Sequence, residues 1–117
     1  MSVHHKIDYV EFPCRSFPAT KEFFSRVFGW SYTDYGPGYS AFIGAGIDGG
    51  FFASEQCCRT EQGSALIVFY SESLEETCDA VRSAGGQILQ EIFAFPGGRR
   101  FHFIEPSGNE FAVWSDK

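Results

Sequence analysis

The sequence predicts an α+β fold: two βαβββ modules related by a pseudo-twofold axis, with a helix on one face of each sheet and the opposite faces curling towards a shared cavity. Three observations predict it. The stretch IDYVEFPCRSFPATKEFFSRVFG (7–29) recurs in type as SALIVFYSESLEETCDAVRSAGG (64–86), displaced by 57 residues. The tails recur as well, YSAFIGAGIDGGFFA (39–53) against RFHFIEPSGNEFAVW (100–114), displaced by 61. Each copy runs through an alternating apolar strand pattern, a serine, a helical pattern closed by glycine, and further short strands. A unit repeated at this length must pair with its copy to bury a face. At 117 residues the chain is one domain, with modules at about 6–54 and 64–115 joined by a polar linker, 55–63.

Residues 6–13 alternate, with Ile7, Tyr9 and Glu11 on one face and Val10 and Phe12 on the other. Ser16 is placed to cap the helix that follows, with Pro18 in its first turn. Phe17, Thr20, Phe24, Val27 and Phe28 share a helical face, and Gly29 is a stop signal. Strands follow at 31–35, 39–44 and 49–54, punctuated by Gly36-Pro37-Gly38 and the glycines between 44 and 50. The second copy opens with a strand at 65–71. Ser73 and Glu76 have the spacing of a capping box. Leu74, Cys78 and Val81 form the apolar stripe, and Gly85-Gly86 ends the helix. Strands then read at 87–93, 99–104 and 109–115.

Composition narrows the partners. Net charge is −6, which repels a phosphate backbone and argues against nucleic-acid binding. No apolar run approaches the roughly 18 residues of a membrane span, and no leader is evident; a cytoplasmic protein is expected. Cys14, Cys57, Cys58 and Cys78 form no C-x-x-C pair and read as structural thiols. Fourteen Phe, five Tyr and two Trp exceed what a small core needs, so part of this load lines a pocket or a subunit contact. Gly44-Ala45-Gly46-Ile47-Asp48-Gly49 matches the dinucleotide fingerprint in letters only, because a strand and not a helix follows it.

The paired βαβββ halves resemble the vicinal oxygen chelate superfamily, which contains glyoxalase I, extradiol dioxygenases and bleomycin-resistance proteins. The resemblance rests on Phe23-Phe24-Ser25-Arg26-Val27-Phe28-Gly29-Trp30, on Ala84-Gly85-Gly86, and on Glu105-Pro106-Ser107-Gly108-Asn109-Glu110, which is similar to a D-P-x-G-N hairpin. It implies a cup-shaped, incompletely closed barrel and commonly a homodimer. Metal-dependent relatives place His, Glu or Gln at four corners of the cup. Here those positions fall on Tyr9, Leu66, Ala112 and Phe51, or Gly50 if the register slips by one. Leu, Ala and Phe cannot ligate a divalent cation and neutral Tyr is a poor ligand. No cofactor is therefore expected, although Glu11, His102 and Glu110 are ligand types from which a shifted divalent-metal site is conceivable.

Alternation assigns the remaining cup residues. Phe101, Phe103, Phe111 and Val113 should face a helix, leaving Arg100, His102, Ile104, Glu110, Ala112 and Trp114 inside. Tyr9, Glu11 and Tyr39 join them from the first module, and Leu66, Val68 and Tyr70 from the second. The expected ligand-binding set is thus Tyr9, Glu11, Tyr39, Leu66, Tyr70, Arg100, His102 and Trp114. Glu11 and His102 are the candidate acid–base residues, set against a plain Glu11–Arg100 ion pair. Arg100 is suited to an anion such as a carboxylate or phosphate. The expected function is that of a glyoxalase/bleomycin-resistance-like protein binding a small aromatic or amphipathic molecule. The alternatives are a lyase, isomerase or dioxygenase acting on a small carbonyl or aromatic substrate, and a partner-binding subunit.

Overall fold

The computed structural model describes residues 2–117. The first module comprises β1 (Tyr9–Cys14), α1 (Phe17–Phe28), β2 (Ser31–Asp34), β3 (Tyr39–Ile43) and β4 (Asp48–Ala53). The second comprises β5 (Ile67–Tyr70), α2 (Leu74–Ser83), β6 (Gln87–Phe95), β7 (Gly98–Ile104) and β8 (Glu110–Ser115). The two sheets have the same topology, β1-β4-β3-β2 and β5-β8-β7-β6. In each, the first and last strands pair in parallel and the other pairs are antiparallel. This is the duplicated βαβββ arrangement that the repeat predicts. The linker is less irregular than expected, since it contains a short 3₁₀ turn at Thr60–Gln62.

Helix α2 buries the stripe that the 3.6-residue period assigns it, whereas α1 also buries Phe23, outside its assigned stripe, and leaves Phe17, Val27 and Phe28 half-buried. Thr20, Phe23 and Phe24 are buried on α1, and Leu74, Cys78 and Val81 on α2. Gly29, at φ 76°, closes α1 by placing the Trp30 N–H on the Phe24 carbonyl. The serine caps turn out differently. Neither Ser16 nor Ser73 makes a side-chain cap. The Ser16 N–H is instead drawn to Ser107 Oγ, and Ser71 Oγ receives the Ser73 N–H while pairing with Thr77 Oγ1. The Ser73–Glu76 box does not form because Ser71, two residues earlier, already takes the Ser73 N–H.

The helix-bearing faces of both sheets meet in one core. Phe12 packs on Phe111 at 5.1 Å, Phe23 on Phe103 at 5.6 Å, Phe24 on Phe111 at 5.3 Å and Phe28 on Phe69 at 4.1 Å, all across the module boundary. Each fully buried Phe contributes on the order of 2–3 kcal/mol, so neither module is expected to hold its fold alone.

A polar buckle completes the union. The buried Glu105 carboxylate accepts from Thr20 Oγ1 (2.6 Å), the Ser107 N–H (3.0 Å) and Asn109 Nδ2 (2.8 Å). Asn109 Nδ2 also donates to the Pro13 carbonyl at 2.7 Å, while its Oδ1 receives the Cys58 N–H at 2.7 Å. One hairpin turn of module two thereby grips β1, α1 and the linker.

Candidate functional site

With the helix faces committed to the core, the opposite faces are left to carry chemistry. On the first sheet that face presents Tyr9, Glu11 and Tyr39. Tyr39 Oη donates to Glu11 Oε2 at 2.9 Å and lies 2.7 Å from Tyr9 Oη. Burial, then the Tyr9 and Glu11 contacts, push the Tyr39 hydroxyl pKa above its ordinary value. The expected half-buried Glu11 is instead exposed, because this face is open at β1. Its partner is Tyr39, so the Glu11–Arg100 ion pair does not form.

The second face is more enclosed. His102 and Glu110 are only 7% and 4% exposed. Glu110 Oε1 accepts from the Thr60 N–H at 2.8 Å and from Thr60 Oγ1 at 3.0 Å, with Arg59 Nε 3.8 Å away. Burial raises the Glu110 carboxyl pKa, but the Thr60 bonds and His102 outweigh it and hold the group below the usual carboxylate value. The linker folds over Glu110. His102 Nε2 accepts from Arg100 Nε at 3.2 Å. That assignment puts the ring proton on Nδ1, 3.6 Å from Glu110 Oε2 and without a hydrogen-bond partner. Burial and the Arg100 charge lower the His102 pKa, opposed by Glu110.

Arg100 sits half-buried with its guanidinium 5.8 Å from the Phe95 ring. Arg59, Arg82 and Arg99 each have a carboxylate neighbour, whereas Arg100 has none among the described residues. Irregularities in β6 bring Phe93 opposite Arg100 and Gln90 opposite His102, and Phe93 stacks on the imidazole at 5.8 Å. Trp114 faces Arg100 across the β7–β8 ladder and packs edge-on against Tyr70 at 5.2 Å. Leu66 lies one residue before β5 and is half-buried. Among the described residues, no hydrogen bond or ion pair joins the Tyr9–Glu11–Tyr39 group to the Arg100–His102–Glu110 group. The cavity of about 370 Å³ between the modules is lined by Phe12, Trp30, Phe42, Phe69 and Tyr70 and contains neither group.

Sequence reasoning missed Thr60 and Arg59, since nothing in EQCCRTEQG marks two linker residues as a clamp. It missed Phe93 because the β6 irregularities break simple alternation. It also chose Phe51 over Gly50 for the fourth corner. Phe51 is fully buried against Phe24 and Trp30, while Gly50 pairs with Glu11 on the open face.

The four corner positions thus offer a phenol, two aliphatic side chains and a glycine, a donor set that does not fit the metal bound by many relatives. Among the described residues, no group of three His, Cys, Asp or Glu is arranged to hold a metal ion. The shifted Glu11–His102–Glu110 site is not assembled, with Glu11 engaged by Tyr39 and the other two by β7, β8 and the linker.

The family profile of the Glyoxalase/Bleomycin resistance protein/Dioxygenase superfamily matches residues 6–113. The chain belongs to this superfamily. Solved structures agree on the fold. A glyoxalase-related enzyme from Fulvimarina pelagi is similar with a TM-score of 0.79 at 16% identity, over 95% of this chain and 88% of that one. A glyoxalase/bleomycin resistance protein/dioxygenase family enzyme from Burkholderia phytofirmans PsJN gives 0.78 at 15%, over 94% and 98%. The fosfomycin resistance protein FosX from Listeria monocytogenes gives 0.78 at 16%, over 97% and 94%. Comparison with curated protein sequences finds no significant match. No helix of the superfamily member described here is long and apolar enough to cross a membrane.

Proposed function

We propose that this superfamily member binds a small organic anion on its aromatic-lined open faces, as a glyoxalase/bleomycin-resistance-like binding protein acting as a homodimer. Arg100 carries the reading. A half-buried guanidinium without a carboxylate partner is costly unless an anion arrives from outside. Only its Nε is engaged, by His102, so the terminal nitrogens can take a planar carboxylate in a fork. Phe93, Phe95 and Trp114 supply apolar contact, and Leu66 and Tyr70 extend that surface. The likeness to a fosfomycin resistance protein is fold-level support only.

Dimerisation is supported by Ile7 and Ile43, which are 86% and 52% exposed and stand outside the ligand-binding set; a second copy laid over them removes that apolar surface from water. Four free thiols support a reducing, cytoplasmic setting. The test is an NMR titration with benzoate and, as a neutral isostere, benzamide. Benzoate is expected to move the Arg100, His102 and Trp114 resonances and to bind about tenfold more tightly, a preference lost in Arg100→Gln. Equal binding of the two probes sinks the proposal. Sedimentation velocity tests the dimer.

One observation favours an enzymatic second reading. His102 is held neutral with Nδ1 turned to Glu110, so its Nε2 becomes a proton acceptor once Arg100 moves to a ligand. A lyase or isomerase using His102, with Glu11 as the other acid–base group, would exchange protons next to a carbonyl. Deuterium exchange into hydroxyacetone measures this. Exchange that survives both His102→Ala and Glu11→Gln removes that reading.

A further inference from the structure

The hydrogen bonds on the first-module face have a fixed direction. Glu11 as a carboxylate only accepts, so the Tyr39 hydroxyl proton is spent on it at 2.9 Å. The 2.7 Å contact between the two phenols must then be Tyr9 donating to Tyr39. Tyr9 Oη has no proton left to offer and meets the open face with lone pairs alone. Tyr9 is among the more exposed large side chains, so an incoming molecule reaches that oxygen first.

The arrangement depends on a glycine. Gly50 lies opposite Glu11 in the β1–β4 ladder, and the Tyr39 ring covers it so closely that a Cβ there would overlap the Tyr39 hydroxyl. Tyr39 thus fills the space above a corner where a ligand-bearing side chain would otherwise stand. Both phenols are drawn to corners of the open face, and both are polarised toward one carboxylate.

We infer that Tyr9, Tyr39 and Glu11 form a one-way hydrogen-bond line that recognises a hydroxyl or amino donor on the ligand and rejects a molecule offering only acceptors at that point. This rests on the reading that ligands bind on these faces, and adds to it the polarity of one end. The raised pKa of Tyr39, caused first by burial and then by its two partners, keeps the middle of the line protonated.

The test compares benzyl alcohol with benzyl methyl ether, which share a ring and differ in the donor, by NMR titration of the full chain. The wild type is expected to bind the alcohol about tenfold more tightly, with the largest shifts at Tyr9 and Tyr39. Tyr39→Phe frees the Tyr9 proton and removes the preference. Glu11→Leu removes the acceptor, so the Tyr39 proton is free to turn to Tyr9 Oη, the direction of the line is no longer fixed and the preference is lost. Gly50→Ala displaces the Tyr39 ring and should match Tyr39→Phe while removing neither hydroxyl from the chain. Circular dichroism checks that each variant is folded. Equal affinity for alcohol and ether in the wild type overturns the inference, as does a preference unchanged in Glu11→Leu. If benzoate binds near Arg100 while neither neutral probe perturbs Tyr9, this inference alone fails; if no probe binds either face, the small-molecule reading fails with it.

Discussion

The two modules repeat a backbone and diverge in what they put at its turns. The strand ladders set Glu105 against Gly44 and Glu110 against Asp48, the second turn being one residue longer. In module one the turn is glycine-rich and open, with Gly44 and Gly46 at positive φ, and Asp48 is exposed. In module two the same turn is buried and saturated with hydrogen bonds to α1, β1 and the linker. The open faces differ in the same sense: Glu11 is exposed, while Glu110 is enclosed by linker residues. One half has become the anchor of the fold, and its twin has stayed accessible. Duplication copies a scaffold cheaply, but each polar group's role depends on what packs over it.

The largest effect should come from the anchor. Glu105→Ala strands the donors of Thr20, Ser107 and Asn109 in the core and is expected to cost about 3 kcal/mol or more. Asn109→Ala should cost about 2 kcal/mol, whereas Asp48→Ala at the end of the open turn should stay within about 0.5 kcal/mol. Urea denaturation of the three variants measures this directly. Similar losses for Asn109→Ala and Asp48→Ala would erase the contrast between the turns.

Acid should act chiefly on module two. His102 has a lowered folded pKa, so the unfolded chain binds its proton first. Its effect is absent above the unfolded value near pH 6.5, and stability falls as pH drops from there through the folded value. The lowered Glu110 pKa acts in the same direction lower down: its contribution is present above about pH 4.3 and is lost as pH falls through the folded value. Melting temperature followed against pH should lose the upper part of this decline in His102→Phe and the lower part in Glu110→Gln.

A smaller effect is expected at Gly50. The obstructing atoms are the far end of the Tyr39 side chain, which can swing into solvent. Gly50→Ala should therefore cost about 1 kcal/mol. Gly49→Ala, whose Cβ would meet the Val10 carbonyl oxygen of the neighbouring strand, should cost more because backbone cannot yield. Thermal melts of the pair sharpen the distinction between a seat for a movable ring and a close approach of two strands.

The sequence by itself determined the two modules, both helices with the buried stripe of α2, and which of Phe101, His102, Phe103 and Phe111 look inward. These are written in local periods of two and 3.6 residues, and a duplicated segment states its topology twice. Only the tertiary structure decided that Thr60 covers Glu110, that Tyr39 closes over Gly50, and that Glu105 reaches Thr20 and Asn109 reaches Pro13. Those partners lie 50, 85 and 96 residues apart for Thr60–Glu110, Thr20–Glu105 and Pro13–Asn109. No local pattern encodes such a meeting; it appears only once burial of the aromatic core has forced the two sheets together, and hydrogen bonding then fixes which polar groups enter with it.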